Sequence, residues 1–161
     1  MNEPTPVWTG TRAGVIAGID LGTLTCRLLV AQVEGGGIQQ ELFSDQRMLR
    51  LGEGVQASGQ LQPEAIRRVL DTLVEWKQVI ERHRSDRVCM VATSAVRDAG
   101  NQREFLAQIK ETVELDVEVI SGEEEARRTM LGIRSGLPPG VDDVFGLDIG
   151  GGSTELIVSR K

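Results

Sequence analysis

The feature that most constrains the fold of this 161-residue chain is an internal repeat. The segment GIDLG at 18–22 aligns without a gap with GLDIG at 146–150, an offset of 128 residues from 18 to 146. In both copies a hydroxyl residue follows three positions later, Thr25 or Ser153, and each copy runs on into Leu, an aliphatic residue and Val. Self-similarity at a fixed offset is the signature of repeated architecture. The sequence therefore predicts a second lobe built like the first and beginning near Val144.

Hydrophobic patterning between the two copies predicts an α/β fold. Three strands joined by short turns come first, and helices then alternate with strands. The predicted strands cover 14–22, 25–37, 38–51, 87–94, 116–120 and 144–151, the predicted helices cover 63–84, 101–113 and 121–136, and 52–62 is predicted as a loop. Short turns make the first three strands antiparallel, whereas helical crossovers make the later strands parallel to the first. We therefore expect a mixed five-stranded sheet with helices on both faces.

These elements divide the chain into three parts. Residues 1–13 are predicted to be a disordered start, 14–141 a complete first lobe, and 142–161 the opening β-hairpin of an otherwise missing second lobe. Isolated hairpins are marginal in water, and unpaired strand edges attract other strands. The last hairpin is therefore predicted to be disordered, to fold against the first lobe, or to pair with another chain, which would make a homodimer.

Charge and composition exclude several classes of protein. The formal net charge of −6 argues against broad binding to nucleic acid or to an anionic membrane. No apolar run approaches the roughly 20 residues that span a bilayer, and the polar start lacks a secretion signal. Cys26 and Cys89 both stand in apolar runs, so we expect two buried free thiols and a cytoplasmic protein. None of this excludes an anionic ligand, because a local nest of amides can hold phosphate.

The two glycine turns suit the binding of a phosphate chain. A tight glycine turn between strands exposes successive backbone N–H groups. Hydroxyl groups of Thr23, Thr25, Ser153 and Thr154 can add donors, and Asp20 and Asp148 can hold a hydrated Mg²⁺. The alternative is a pair of ordinary hairpins whose glycines only allow tight turns and bind no ligand. One hairpin alone favours that alternative, whereas the matched pair favours a phosphate clamp.

Four motifs in order make the chain similar to a known family. The segments GIDLGTLTCRLLV, VATSAVRDAGN, VISGEEEARRTMLG and GLDIGGGSTELIV resemble the exopolyphosphatase and guanosine pentaphosphate phosphatase (Ppx/GppA) family, within the actin-like superfamily with its ribonuclease H-like lobes. The resemblance runs from about residue 15 to the last residue. It implies an actin-like first lobe and Mg²⁺-assisted hydrolysis of a terminal phosphoanhydride bond, with polyphosphate or guanosine pentaphosphate as the substrate.

The resemblance also implies roles for individual residues. Glu125 matches the glutamate that activates the attacking water, and Arg97 matches an arginine near the phosphate. Asp148 and Glu155 match the family's metal-side carboxylates, whereas Asp20, which can hold Mg²⁺ as argued above, matches part of the first phosphate loop. The phosphate loops are matched by Gly22, Thr23, Thr25 and Arg27 in the first hairpin and by Gly150, Gly151 and Ser153 in the second.

Sequence spacing around Glu125 bears on its role. Ser121 and Glu124 have capping-box spacing, and Glu123 with Arg127 and Glu124 with Arg128 stand four residues apart, as exposed ion pairs do on helices. Glu125 has no such partner, because Thr129 stands four residues later. Surface pairing is the alternative reading of this acidic run. Glu125 is the carboxylate that the local pattern leaves unexplained.

One residue departs from the family pattern. Leu24 stands where the family usually has asparagine in the first phosphate loop. A leucine side chain donates no hydrogen bond, and a buried polar partner left unmatched costs about 1–3 kcal/mol. The departure predicts either a weaker contact with substrate or a different substrate.

Two other functions stay open at this level. The first is a non-catalytic sensor in which the Leu24 loop binds phosphate or an alarmone, and tight binding without turnover would identify it. The second is an ATP-using relative, either a sugar kinase or a filament-forming ATPase. That function requires an adenosine pocket, and ATP hydrolysis that depends on a phosphoryl acceptor would identify it.

Overall fold

The computed structural model describes residues 13–138 and 140–160. The predicted disordered start covers residues 1–13, of which 1–12 lie outside the described residues. The elements in chain order are β1 Gly14–Leu21, β2 Thr25–Glu34, β3 Gly37–Met48, α1 Val55–Ser58, α2 Pro63–Arg82, β4 Arg87–Ala92, α3 Ser94–Arg97, α4 Gln102–Val113, β5 Glu118–Val119, α5 Gly122–Ser135, β6 Val144–Ile149 and β7 Thr154–Ser159.

Strands β1 to β5 form one mixed sheet in the order β3-β2-β1-β4-β5. β1 pairs antiparallel with β2, and β2 pairs antiparallel with β3. β4 lies parallel to β1 on its other side, and β5 lies parallel to β4. The predicted mixed five-stranded sheet is confirmed, because short turns fix the antiparallel pairs and helical crossovers fix the parallel ones.

The main core lies between one face of this sheet and helices α2 and α4. Ile19 and Leu28 on the strands, Trp76 on α2 and Phe105 on α4 are each at most 2% exposed. The opposite face is more open, since Gly18, Arg27 and Cys89 are exposed there. The predicted helical cover on both faces is therefore unequal. The prediction that Cys89 is buried is wrong, because its side of β4 is the open one.

Short elements differ most from the sequence prediction. The loop 52–62 contains the single-turn helix α1, and Ser94, predicted as strand, begins the single-turn helix α3. Four residues are too few to show a helical period, so patterning misses them. Strand β5 has only two residues, whose pairing with β4 is confined to Val91 with Glu118 and Ala92 with Val119.

The second hairpin, β6–β7, packs on helix α5. Met130 of α5, Val144 of β6 and Ile157 of β7 form a small second core. Arg134 near the end of α5 holds the far end of the hairpin: its Nη2 donates to the Ser159 hydroxyl at 2.7 Å and to the Asp142 carbonyl at 2.8 Å. Of the three predicted states of the hairpin, the structure has it folded against the first lobe.

Candidate functional site: two glycine turns that face each other

The two repeated hairpins have the same strand register. In the first, Asp20 lies opposite Arg27; in the second, the equivalent Asp148 lies opposite Glu155. In both turns the first glycine lies close to the carbonyl three residues later. A Cβ on Gly22 would lie 2.6 Å from the Thr25 carbonyl, and the Gly150 amide donates to the Ser153 carbonyl at 3.0 Å. The sequence repeat is therefore also a structural one.

The two turns contact each other in a reciprocal way. A Cβ on Gly151 would lie 2.7 Å from the Leu24 Cβ, and one on Gly152 would lie 2.8 Å from the Thr23 Oγ1. Gly151 is the repeat equivalent of Thr23, and Gly152 is the equivalent of Leu24. Thr23 thus contacts the equivalent of Leu24, and Leu24 contacts the equivalent of Thr23. This exchange is the pattern of a twofold-symmetric contact. Only glycine leaves room for this approach.

A cleft of about 710 Å³ opens beside this contact. Its walls come from the first turn, the α1 segment, helix α3 and the second turn. The lining residues are Thr23, Gly52, Val55, Gln56, Ser94, Ala95, Asp98 and Gly150 to Thr154. Gly150, Gly151 and Ser153 thus meet the first-loop residue Thr23 around one cavity, whereas Thr25 and Arg27 do not line it. Arg27 instead donates from Nε to Gln46 Oε1 at 3.1 Å.

Asp20 has a buried carboxylate oxygen that no described neighbour satisfies. Its Oδ1 is buried and has no hydrogen-bond partner among the described residues. Burial raises the pKa of this carboxyl; the Arg27 charge opposes the rise and the Asp148 charge adds to it. Asp148 is fixed by the Thr129 hydroxyl, which donates to its Oδ2 at 3.2 Å. A cation between the two aspartates would satisfy the orphaned oxygen and remove their repulsion.

The carboxylates do not form a cage of three. Among residues 13–138 and 140–160, no group of three acidic, thiol or imidazole side chains is gathered in a way that suits a metal ion. The Asp148 charge raises the pKa of Asp20, whereas the Glu155 charge raises the pKa of Glu125. Two carboxylates with an orphaned oxygen suit a hydrated Mg²⁺, which keeps several waters and takes one or two protein carboxylates beside phosphate.

Glu125 lies in the first turn of α5, where Arg97 reaches it. The guanidinium Nη1 of Arg97 donates to Glu125 Oε2 at 3.3 Å and to the Ile120 carbonyl at 2.9 Å. The Glu125 side chain is only 17% exposed. Burial raises its pKa, the Arg97 hydrogen bond lowers it, and the charges of Glu155 and Asp20 raise it further. Glu125 is therefore a carboxylate whose pKa is raised and whose neighbours include carboxylates of both hairpins. A raised pKa is typical of a carboxylate that acts as a general base.

Its neighbour Glu124 has a structural role. The Ser121 hydroxyl accepts from the Glu124 amide at 3.1 Å, so the predicted N-cap is present. The Glu124 carboxylate binds Arg127 and Arg128, each at 2.6 Å, and these contacts lower its pKa to about 2. Arg127 thus pairs with Glu124 instead of Glu123, because its guanidinium reaches the carboxylate three residues back. Arg128 also binds Glu118 at 2.8 Å, which ties α5 to β5.

Sequence reasoning missed the cleft-wall residues that come from the α1 segment and helix α3, and two of them contact Thr23. Gly52 donates its amide to the Thr23 carbonyl at 2.8 Å, and Ser94 lies 2.8 Å from the Thr23 hydroxyl. A signal for Ser94 was available, because it follows a strand parallel to β1 and ligands gather at the carboxyl ends of such strands. No comparable signal marks Gly52, which lies in a glycine-rich loop without periodicity.

The fold and the facing glycine turns define an α/β protein with two paired glycine hairpins, and comparison with known proteins gives its family. The family model for the Ppx/GppA phosphatase family matches residues 29–161. The chain is 38% identical over 153 residues to exopolyphosphatase 2 of Mycobacterium tuberculosis, covering 90% of this chain and 48% of that protein. The chain therefore belongs to the Ppx/GppA phosphatase family.

Solved structures agree with the sequence comparison. A Ppx/GppA family member from Aquifex aeolicus superposes with a TM-score of 0.80 at 36% identity, over 92% of this chain and 48% of that one. An exopolyphosphatase from Cytophaga hutchinsonii gives a TM-score of 0.85 at 34% identity, over 91% and 47%. The predicted actin-like fold class is confirmed. The chain spans about half the length of the exopolyphosphatases that it matches. Among the described residues, no helix has both the length and the apolarity to cross a membrane.

Proposed function

We propose that this protein hydrolyses the terminal phosphoanhydride bond of polyphosphate or guanosine pentaphosphate with the help of Mg²⁺. The family supplies phosphatase chemistry, and the observation that carries the proposal is Glu125. This carboxylate has a raised pKa, an arginine partner and a position near charged residues of both glycine hairpins. The partners are these phosphate chains, in a cytoplasmic setting and without nucleic acid or membrane.

In the proposed reaction the glycine turns bind the end of the phosphate chain. Backbone amides of 22–25 and 151–153 donate to phosphoryl oxygens, and Asp20 with Asp148 would hold the hydrated cation. When bound, Mg²⁺ neutralises phosphoryl charge. Glu125 accepts a proton from water as the water oxygen bonds to the terminal phosphorus. The bond from that phosphorus to the bridging oxygen breaks, and the bridging oxygen leaves with the shortened chain.

Arg97 has two parts in this proposal. Its hydrogen bond to the Ile120 carbonyl holds the guanidinium in place, and the bond to Glu125 orients the base. The same positive charge favours the developing negative charge on the transferred phosphoryl group. The pairing also favours the ionised form of Glu125, because it opposes the effect of burial on the pKa.

The test is phosphate release from polyphosphate and from guanosine pentaphosphate with Mg²⁺, compared with Glu125→Gln. Because loss of a general base typically costs about 10²–10⁴-fold, the variant should lose hydrolysis by that factor while still binding tripolyphosphate. Glu123→Gln is the matched control, since Glu123 is an exposed carboxylate on the same turn of α5. Equal activity of Glu125→Gln and Glu123→Gln would refute the role of Glu125.

Leu24 favours a second candidate, a sensor that binds phosphate without turnover. Its side chain is 43% exposed and packs on Gly151, where it donates nothing to a ligand. If the complete protein binds guanosine pentaphosphate but releases no phosphate from either substrate, the sensor replaces the hydrolase.

A further inference from the structure

The side chain of Thr23 is enclosed on three sides. Its Oγ1 lies 2.8 Å from Ser94 Oγ, a full hydrogen bond between hydroxyls. A Cβ on Gly52 would lie 2.3 Å from the Thr23 methyl, and a Cβ on Gly152 would lie 2.8 Å from Oγ1. Both glycines therefore approach the threonine side chain closely, and Ser94 is the hydrogen-bond partner of its hydroxyl.

Ser94 reaches this position because of strand order. Leu21 at the end of β1 pairs with Ala92 at the end of the parallel strand β4. The residues that follow both strands emerge at the same sheet edge, where α/β proteins bind ligands. Ser94 is only 6% exposed, whereas Thr23 is half-buried, and both line the cleft that contains the second glycine turn.

A hydrogen count shows one unused donor. Each hydroxyl has one hydrogen, and their mutual bond uses one of the two. Among the described residues neither hydroxyl has another hydrogen-bond partner. If the more buried Ser94 donates to Thr23, the Thr23 hydrogen is left at the cleft surface. An ionised phosphoryl oxygen is a strong acceptor for such a donor.

We propose that Ser94 is a positioning residue that donates to Thr23 Oγ1 and so directs the Thr23 hydroxyl hydrogen to a terminal phosphoryl oxygen. This inference rests on the proposed function, because the ligand is the end of a phosphate chain. It adds a group from helix α3 to a clamp otherwise made by the two hairpins. Ser94 acts through Thr23 and does not itself touch the reacting atoms.

A double-mutant cycle on the complete protein tests the inference with Ser94→Ala, Thr23→Val and the double variant. Binding of tripolyphosphate with Mg²⁺ is measured by calorimetry, and KM and kcat are measured beside it. Thr23→Val should weaken binding about tenfold, the effect of one lost hydrogen bond to a charged group. Ser94→Ala should weaken it nearly as much, and the double variant no more than Thr23→Val alone. Thr72→Val is the control, because Thr72 is 4% exposed and its hydroxyl donates only to the Arg68 carbonyl at 2.9 Å.

The outcomes separate the inference from the proposed function. If the wild-type protein binds tripolyphosphate and the losses in the two single variants add in the double variant, only the role of Ser94 is overturned. The same holds if Ser94→Ala binds as tightly as Thr72→Val. Wild-type protein that neither binds nor hydrolyses tripolyphosphate overturns both. Binding without hydrolysis overturns the hydrolase, and the cycle on affinity still decides the role of Ser94.

Discussion

The two repeated hairpins have the same backbone pairing but bury opposite faces. Leu28 of the first hairpin is 1% exposed, and its equivalent Leu156 in the second is 69% exposed. Gly18 is exposed in the first hairpin, whereas its equivalent Gly146 is buried against α5 in the second. The local sequence sets the turn and register of both copies. Which face is buried depends on the helix that packs over it.

This difference bears directly on the site. Helices α2 and α4 cover the first hairpin on the side away from Asp20, and α5 covers the second on the side of Asp148 and Glu155. The first turn of α5 consequently lies where the charges of Asp20 and Glu155 both act on Glu125. If both hairpins buried the same face, α5 could not approach carboxylates of both.

The largest expected effect compares equivalent leucines. Leu28→Ala should lower the free energy of unfolding by about 2–5 kcal/mol, because it opens a cavity in the main core. Leu156→Ala should change it by less than about 0.5 kcal/mol, because that side chain is mostly solvated. Urea unfolding of both variants measures the difference. Equal losses would show that the second hairpin is covered as fully as the first.

A smaller effect compares the equivalent turn glycines. A Cβ on Gly22 would meet the Thr25 carbonyl at 2.6 Å, whereas one on Gly150 would meet the Ser153 carbonyl at 3.3 Å. Gly22→Ala should therefore destabilise the protein by about 1–3 kcal/mol, as overpacking does, and Gly150→Ala by less. Unfolding midpoints of the two variants decide it. The reverse order would contradict the difference in turn geometry, and Gly18→Ala, with open space at its Cβ, is the control.

The pH dependence of hydrolysis sharpens the comparison at Glu125. Burial raises the pKa of Glu125, so its carboxylate form is reached at higher pH than for an ordinary glutamate. The acidic limb of the pH–rate profile should therefore lie at higher pH as well. Arg97 lowers this pKa, so Arg97→Gln should move the limb to higher pH. The Glu155 charge raises it, so Glu155→Gln should move the limb to lower pH. Shifts of both variants in one direction would contradict the charge assignment.

The smallest expected effect concerns the asymmetry between the turns. Leu24→Asn places an amide donor opposite Gly151, and we expect a few-fold gain in tripolyphosphate affinity. The gain should be smaller than one hydrogen bond to a charged group gives, because asparagine loses the packing of leucine on Gly151. Calorimetry on the complete protein measures it. Leu131→Asn, which changes an exposed leucine of α5, should leave affinity unchanged. A loss of affinity in Leu24→Asn would show that the apolar contact itself holds the turns together.

Much of the fold was predictable because its signals are local. The repeat predicted both hairpins, the 3.6-residue period predicted α2 and α4, and Ser121 with the acidic run predicted the start of α5. Single-turn helices and the two-residue strand β5 were not predictable in this way, because they are held by contacts with distant segments. The same holds for Cys89, whose exposure depends on which face of the sheet is covered.

In the candidate site, sequence provided the residues and the tertiary structure provided their neighbours. The glycine turns, the paired aspartates and the lone Glu125 all follow from spacing and from resemblance. Their contacts do not: Arg97 reaches Glu125 across 28 residues, and Ser94 reaches Thr23 across 71. Backbone turns and helix caps depend on neighbouring residues and can be read from the chain. Burial, pKa shifts and the meeting of the two turns depend on packing between remote segments, which only the tertiary structure decides.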